Sequence, residues 1–313
     1  MGATPRAIKR AALGIHKLGA RFGIYVLPVH YHSAITNIPD LQGTRGEWAR
    51  QSELPGLSVN LDEQATSLKA ICKPYQREYE GNKTYNEGVS RHFGPGYGYI
   101  EAQALHGFIR HFKPRRIVEV GSGVSTYCML RASEMNAGES GEMPGITAIE
   151  PNPSTSLTEL PGIQLLPRRV QTVSLDVFTE LGENDLLFID SSHTVKAGGD
   201  VNFLILEVLP RLRKGVIVHF HDIYLPYDYQ PDTCATFLQW AETSLLHAFL
   251  IFNERAGILV SLSHLHYERQ EVLRDVFPEY SPRLHVDGLN PDDYKPFEPI
   301  AEHFPSSTYI RIL

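Results

Sequence analysis

The chain predicts an α/β fold with a mostly parallel, doubly wound sheet. Two observations predict it. From about residue 99 onward, short apolar runs alternate with helical stretches, and a glycine-rich turn joins the first run to the helix after it. Strands and helices alternating at this spacing are βαβ units with right-handed crossovers. In such sheets, ligands bind beyond the carboxyl ends of the strands.

The elements follow in order. Residues 1–94 read as an N-terminal extension of helix and loop, expected to cover an acceptor side, and residues 95–313 carry the sheet. In the extension, Arg6, Lys9, Arg10, Lys17 and Arg21 alternate with Ile8, Ala12, Ile15 and Leu18 at helical spacing. A helix docked on its own domain is expected there, ahead of one lying on a membrane surface. His30, Tyr31 and His32 belong to the same covering segment. Leu61–Cys72 reads as a short helix, and the tyrosine- and glycine-rich stretch from Pro74 to Tyr99 as irregular loop. Ile100–His111 is a helix, Arg116–Val120 a strand, Ser125–Met135 a helix, and Ile146–Ile149 and Gln164–Leu166 are strands. Asp185–Asp190 is the fourth strand, Asp200–Leu212 an amphipathic helix and Gly215–His221 the fifth strand. Thr233–Ser244 reads as helical, Ala248–Phe252 as the sixth strand and Thr308–Ile312 as the last.

Composition narrows the class. A chain of 313 residues with 42% hydrophobic content can bury a full core. A net charge of -7 argues against a broad nucleic-acid-binding face. Cys72, Cys128 and Cys234 match no CxxC pattern, and such a sparse, odd set suits a reducing compartment. Apolar runs are shorter than the ~18 residues of a membrane span, and no signal-peptide pattern follows the basic start. A cytoplasmic protein is therefore expected, and a homo-oligomer remains compatible with everything in the chain.

The chemistry concentrates after the first strand, in Glu119-Val120-Gly121-Ser122-Gly123-Val124-Ser125-Thr126. Glycines let the backbone turn sharply and approach a ligand, and Ser125 or Thr126 can cap the next helix with its amides aimed at a bound molecule. A phosphate-binding P-loop requires a lysine that is missing here. A dinucleotide fingerprint requires glycine or alanine where Thr126 stands. A methyltransferase-type loop, whose glycines make room for an amino-acid group, and a bare structural turn both stay open. The second strand ends at Glu150, whose carboxylate can accept both hydroxyls of a ribose. That suits adenosylmethionine and NAD equally.

EVGSGVST, TAIEPNP, DLLFIDSSH and GVIVHFHDI, in this order, resemble the class I S-adenosylmethionine-dependent methyltransferases. The combination is most similar to bacterial families related to the metal-assisted O-methyltransferases of catechol and macrolide-sugar type. The resemblance spans about residues 95–260, with the last strand near the end of the chain. It implies a Rossmann-like seven-stranded sheet in the order 3-2-1-4-5-7-6, with strand seven antiparallel. It also implies that Glu119, Gly121, Ser122, Gly123, Ser125 and Thr126 hold the methionine part, Glu150 the ribose, and Gln171 the adenine edge, with Asp190 beside the cofactor.

Methyl transfer from a sulfonium is an in-line displacement, and a hydroxyl acceptor must also lose its proton or have its acidity raised by a metal. Strand four ends at Asp190, with His193 three residues on, and strand five ends at His221-Asp222. Neighbouring parallel strands bring these ends together. In the metal-assisted enzymes a carboxylate ends strand four, an Asp-Asn pair ends strand five, and a catalytic lysine follows the first carboxylate by three. Asp190 matches that carboxylate, His221 and Asp222 fall at the pair, and His193 falls at the lysine.

His193 is thus expected as general base beside Asp190, its ordinary pKa near neutrality suiting the task. Asp190, His221 and Asp222 are the candidate ligands of a divalent ion (Mg, Mn, Fe or Zn), since histidine makes the site softer. His219, one pleat deeper on the same face as His221, reads as a hydrogen-bonded core histidine. Asp200 reads as a first-turn acid of its helix, and the tyrosines from Tyr224 to Tyr229 as a candidate acceptor lining. The expected activity is O-methylation of a small hydroxylated molecule or sugar. Competing readings are N-methylation or a nicotinamide-linked reaction in the same cleft, and a binding protein that kept the fold without turnover.

Overall fold

Seven strands alternate their side chains between two apolar layers. They are β1 (Arg116–Val120), β2 (Gly145–Ile149), β3 (Gln164–Leu166), β4 (Leu186–Ile189), β5 (Ile217–Phe220), β6 (Ala256–Ser261) and β7 (Thr308–Ile312). In this computed structural model, residues 4–29, 32–33, 35–283, 285–291 and 302–313 are described. The strands form one sheet in the order β3-β2-β1-β4-β5-β7-β6. β1 pairs in parallel with β2 and β4, and β4 with β5, while β7 runs antiparallel between β5 and β6. This is the order and the reversal expected of a Rossmann-like fold.

The period of two decides the layers. Ile117, Ile146, Leu186, Phe188 and Ile217 face one core, and Val118, Val120, Leu187, Ile189 and Val218 face the other. Both faces of the central strands are covered, which explains their near-continuous apolar runs. Among the described residues, the helices that the argument uses are α1 (Thr4–Ala20), α2 (Leu61–Cys72), α3 (Lys83–Ser90), α4 (Tyr99–Phe112), α5 (Val124–Ser140), α6 (Asp200–Phe203), α7 (Glu242–Leu250), α8 (Leu262–Glu268) and α9 (Gln270–Val276), with shorter helical turns between them. Leu68, Leu105, Met129 and Leu273 place α2, α4, α5 and α9 on the first layer. Val201, Leu246 and Leu250 place α6 and α7 on the second. Asn60 caps α2, its side-chain oxygen accepting the backbone N–H groups of Asp62 and Glu63.

Four expectations need correction. Pro74–Tyr99 is not irregular loop: it holds Gln76–Tyr79, α3 and short tight turns. Burial overrides the weak local pattern there, since Tyr79 is sunk against Phe277 and donates its hydroxyl to the Val276 carbonyl at 2.8 Å. Residues 233–241 form turns, and the helix begins only at Glu242. Phe237 stands exposed, so that stretch has no apolar face to bury. Residues 248–252 end that helix, and the sixth strand lies later, at Ala256–Ser261; Leu246 and Leu250 bury at helical spacing instead. Finally, among the described side chains of α1, Leu13, Ile15 and Leu18 are more than half exposed, so the docked apolar face expected there is not seen at Ile15 and Leu18.

The stretch after α6 stays helical but widens over Leu204–Val208 and tightens over Leu209–Arg211. Pro210 supplies no N–H to close a regular turn there. His30 and Tyr31 lie outside the described residues. Among the described residues, no helix is long and apolar enough to cross a membrane.

Candidate active site

β1 lies between β2 and β4, so the chain leaving it must pass between their ends. It does so at Gly121, with φ at +79° and its N–H bonded to the Ile149 carbonyl at 3.0 Å. A Cβ at Gly121 would stand 1.8 Å from the Asp190 carbonyl oxygen, so only glycine fits. The loop then enters α5. The Ser125 hydroxyl donates to Glu119 at 2.7 Å and the Thr126 hydroxyl to its other oxygen at 2.5 Å, while Thr126 accepts the Gly123 N–H at 3.1 Å. Glu119 is fully buried, and burial pushes its carboxyl up to about 8 despite these hydroxyls. Both oxygens of Glu119 are turned onto the loop's own side chains, so it braces the loop from beneath.

Glu150 follows β2 at the rim of a cleft of about 430 Å³. Its carboxylate accepts the Asn152 N–H at 2.8 Å and lies 3.4 Å from the Ser122 N–H, so it stays aimed across the loop. Gln171, in a tight turn after β3, lines the same cleft and donates its amide to the Gly198 carbonyl at 3.0 Å. Gly121 and Asp190 complete the wall. Asp200 is the first residue of α6, where its carboxylate takes the Ser192 N–H at 2.9 Å and hydroxyl at 2.6 Å. It fixes the turn that follows β4.

Asp190, in the cleft wall, also meets His193 and His221, and Asp222 reaches the same two imidazoles. His193 Nε2 lies 3.3 Å from Asp190 and 3.6 Å from Asp222, and His221 Nδ1 lies 3.2 Å from Asp190 and 3.5 Å from Asp222. His193 and Asp222 both hold φ at 55°, a left-handed conformation uncommon for residues with a Cβ. Two carboxylates complete the group. Glu242, at the start of α7, meets His193 Nδ1 at 2.8 Å, and Glu101, in the first turn of α4, lies 3.5 Å from His221 Nε2. Neither was apparent from the sequence. Glu101 is one more acid in a first helical turn, and Glu242 sits 49 residues beyond His193 with no recurring spacing to flag it.

The charges are strongly coupled. Burial alone would raise Asp190, but the His221 charge and the hydrogen bond with His193 outweigh it and hold the carboxyl well below its usual range. Burial would lower His193, yet its bonds to Asp190 and Glu242 push it up to about 10. His221 is raised well above its ordinary value despite burial, through Asp222 and Asp190. Glu242 is raised by burial, only partly offset by His193. Positive charge set among carboxylates holds the cluster together.

His219 is a core histidine, fully buried and stacked on Phe188 at 4.2 Å. Its Nε2 meets the Ser307 hydroxyl at 2.8 Å and the Tyr97 hydroxyl at 3.2 Å. A second cavity, of about 470 Å³, opens beside His221 and Asp222, with Tyr97, Tyr99, Glu101 and Phe304 in its wall. Of the tyrosines after β5, Tyr224 and Tyr227 are buried in packing, Tyr224 stacking on Phe304.

A family model described as a methyltransferase domain matches residues 118–223, the segment that holds the loop, Glu150, Gln171, Asp190, His193, His221 and most of β5's exit. Over 169 residues the chain is also 31% identical to an uncharacterized protein of Archaeoglobus fulgidus, covering 50% of this chain and 74% of that one. The chain carries a methyltransferase domain. Among solved structures, the methyltransferase is similar to apo CmcI-N160, at 15% identity and a TM-score of 0.33, over 53% of this chain and 64% of that one, under two thirds of its length. It is similar to the SAH-bound methyltransferase PaMTH1 of Podospora anserina at 13% identity and a TM-score of 0.39, over 93% and 99% of the two chains. A putative methyltransferase from Thermobifida fusca gives 9% identity and a TM-score of 0.32, over 85% and 96%. These likenesses are distant, and the methyltransferase's fold rests on its own strand order.

Proposed function

We propose that this methyltransferase takes its methyl group from S-adenosylmethionine and transfers it to a hydroxyl of a small molecule or sugar. One observation carries the reading: Asp190 lines one cavity, and His221, 3.2 Å from it, lines a second. On one side is the cleft of Gly121, Glu150 and Gln171; on the other, the cavity of Tyr97, His221 and Asp222. The donor would occupy the first, its ribose hydroxyls on Glu150, its adenine beside Gln171 and its methionine part over the loop of Ser122, Gly123, Ser125 and Thr126. The acceptor would enter the second.

The hydroxyl oxygen attacks the methyl carbon, and the carbon–sulfur bond breaks with its electron pair left on sulfur. The hydroxyl proton must go elsewhere, and the Asp190–His193–His221–Asp222 cluster lies where it would be released. Asp190 would orient the hydroxyl, and His193, raised to about 10, would accept its proton only from the minor neutral form. Asp190, His221 and Asp222 offer oxygen and nitrogen donors to a divalent cation, a mixed set that fits such an ion, which when bound makes the hydroxyl more acidic.

Titration with adenosylmethionine tests the donor half. Parent protein should bind and Glu150→Ala should bind more weakly; no binding by the parent, with the variant alike, overturns it. An acceptor screen read by mass spectrometry tests the other half. Hydroxyl acceptors should gain 14 Da with the parent and not with His193→Ala. Methylation confined to amines would move the activity to N-methyl transfer.

A further inference from the structure

We infer that His193 is a metal ligand, and that Asp190, His193 and His221 are the inner ligands of a centre for Mn²⁺ or Fe²⁺, with Asp222 at its edge and Glu242 and Glu101 behind its imidazoles. This deepens the methyl-transfer reading and rests on it for the use of the ion.

The distances carry the inference. His193 Nε2, Asp190 Oδ1, His221 Nδ1 and Asp222 Oδ2 form a closed ring with edges of 3.3, 3.2, 3.5 and 3.6 Å. Atoms that share one ion at about 2.0–2.2 Å are spaced by roughly 3.0–3.6 Å. Among the described residues, Asp190, His193 and His221 are the set with one ligand atom each within 4.8 Å of the others, and Asp222 meets the two imidazoles from outside that set.

The far side of each imidazole supports the same assignment. Metal-bound histidines typically donate their other N–H to a carboxylate, which fixes the tautomer and turns the lone pair to the ion. His193 has Glu242 at 2.8 Å on Nδ1, and His221 has Glu101 at 3.5 Å on Nε2. Both carboxylates are almost fully buried, Glu242 at 1% and Glu101 at 3% exposure. With each imidazole's proton on its outward nitrogen, the inward nitrogens would present lone pairs towards the carboxylates, and a metal ion would take the place of the protons that hold the cluster without it. The left-handed backbone at His193 and Asp222 is a further mark of a site that holds its side chains against local preference.

The donor set selects the ion. Two imidazoles suit first-row transition metals better than Mg²⁺, which prefers oxygen throughout. Four protein ligands would close a tetrahedral zinc site. Mn²⁺ or Fe²⁺, which take about six ligands, would keep positions for an acceptor hydroxyl. His193 would then be unable to serve as the free base.

The test is Mn²⁺ binding by chelator-stripped protein, followed by electron paramagnetic resonance. The parent should bind one Mn²⁺ per chain, show two imidazole nitrogens coupled to it by pulsed methods, and hold it against excess Mg²⁺. His193→Ala should show one imidazole nitrogen and bind at least about 100-fold more weakly. Glu242→Gln should lose roughly 10- to 100-fold while keeping both nitrogens. A single coupled nitrogen in the parent, unchanged Mn²⁺ affinity in His193→Ala, or displacement by equimolar Mg²⁺ would overturn the assignment. Should His193→Ala fail to fold, the parent's nitrogen count still decides. Adenosylmethionine titrations on the same samples keep the two readings apart. Mn²⁺ binding without cofactor binding would sink the methyl-transfer reading and leave the metal centre standing.

Discussion

Gly121 passes so close to Asp190 that the carbonyl oxygen of Asp190 occupies the space of a side chain, 1.8 Å from where a Cβ would stand. The residue that opens the glycine-rich loop after β1 and the residue that follows β4 are therefore one packed unit. Gly121→Ala should either push β1 from β4 or twist the loop, with a positive φ adding its own strain. We expect a loss of at least about 3 kcal/mol in chemical denaturation, together with loss of adenosylmethionine binding. A parent-like melting curve would show that the two strands can part without cost.

Glu150 should separate binding from folding. It is half-exposed at the cleft rim and accepts only backbone N–H groups, from Asn152 in its own turn and Ser122 in the glycine loop. Glu150→Ala should weaken adenosylmethionine by about 10- to 100-fold, the range for hydrogen bonds to a charged partner. Thermal melting without ligand should shift little. Unchanged affinity by calorimetry would remove Glu150 from the ribose site.

Glu119 predicts an alkaline effect. Its folded carboxyl is raised to about 8, above the ordinary 4.5. The native state therefore holds the proton more tightly than the unfolded one. This contribution to stability is complete below about pH 4.5 and is lost as pH rises toward 8. Glu119→Gln cannot ionise, so its stability relative to the parent should rise across that window, as read by urea melts at several pH values. A difference that stays flat with pH would show that the buried carboxyl is already ionised at neutrality.

Buried histidines predict the opposite slope in acid. His266 is fully buried, accepts from or donates to the Tyr280 hydroxyl at 2.7 Å, and is lowered to about 4 from 6.5 by burial and the nearby His285. The unfolded chain takes up the proton first. Stability is whole above about pH 6.5 and falls as pH drops toward 4, by roughly 3 kcal/mol for this side chain. His266→Gln should flatten that part of the stability profile. Parent and variant falling in parallel would place the acid sensitivity elsewhere.

The sheet was legible because its strands are covered on both faces. Runs such as LLFI at residues 186–189 stand out from any helical period, and β1, β3 and β7 fall where their patterns place them. β6 was not legible. Leu246 and Leu250 recur at a helical interval just before it, and the apolar stretch they share with Ala248–Phe252 hides the turn between helix and strand. The stretch of short helices after Cys72 is stabilised by tertiary burial of Tyr79, a contact 197 residues away in sequence that local composition cannot carry.

The candidate site divides in the same way. Asp190, His193, His221 and Asp222 lie at strand ends that topology alone brings together. Glu101 and Glu242 arrive from helices whose docking had to be known first. His193 illustrates the consequence: its spacing from Asp190 suggested a base, whereas its second nitrogen rests on a residue invisible at that range.

β7 follows β6 in the chain yet sits between β5 and β6. Just before it, the Ser306 hydroxyl donates to Asp222 at 2.9 Å and the Ser307 hydroxyl to Glu101 at 2.5 Å. The strand latest in sequence thus fastens two acids that come from elements more than 80 residues earlier, Asp222 after β5 and Glu101 in α4. The sheet's innermost reversal and the geometry of the cluster are therefore one structural unit.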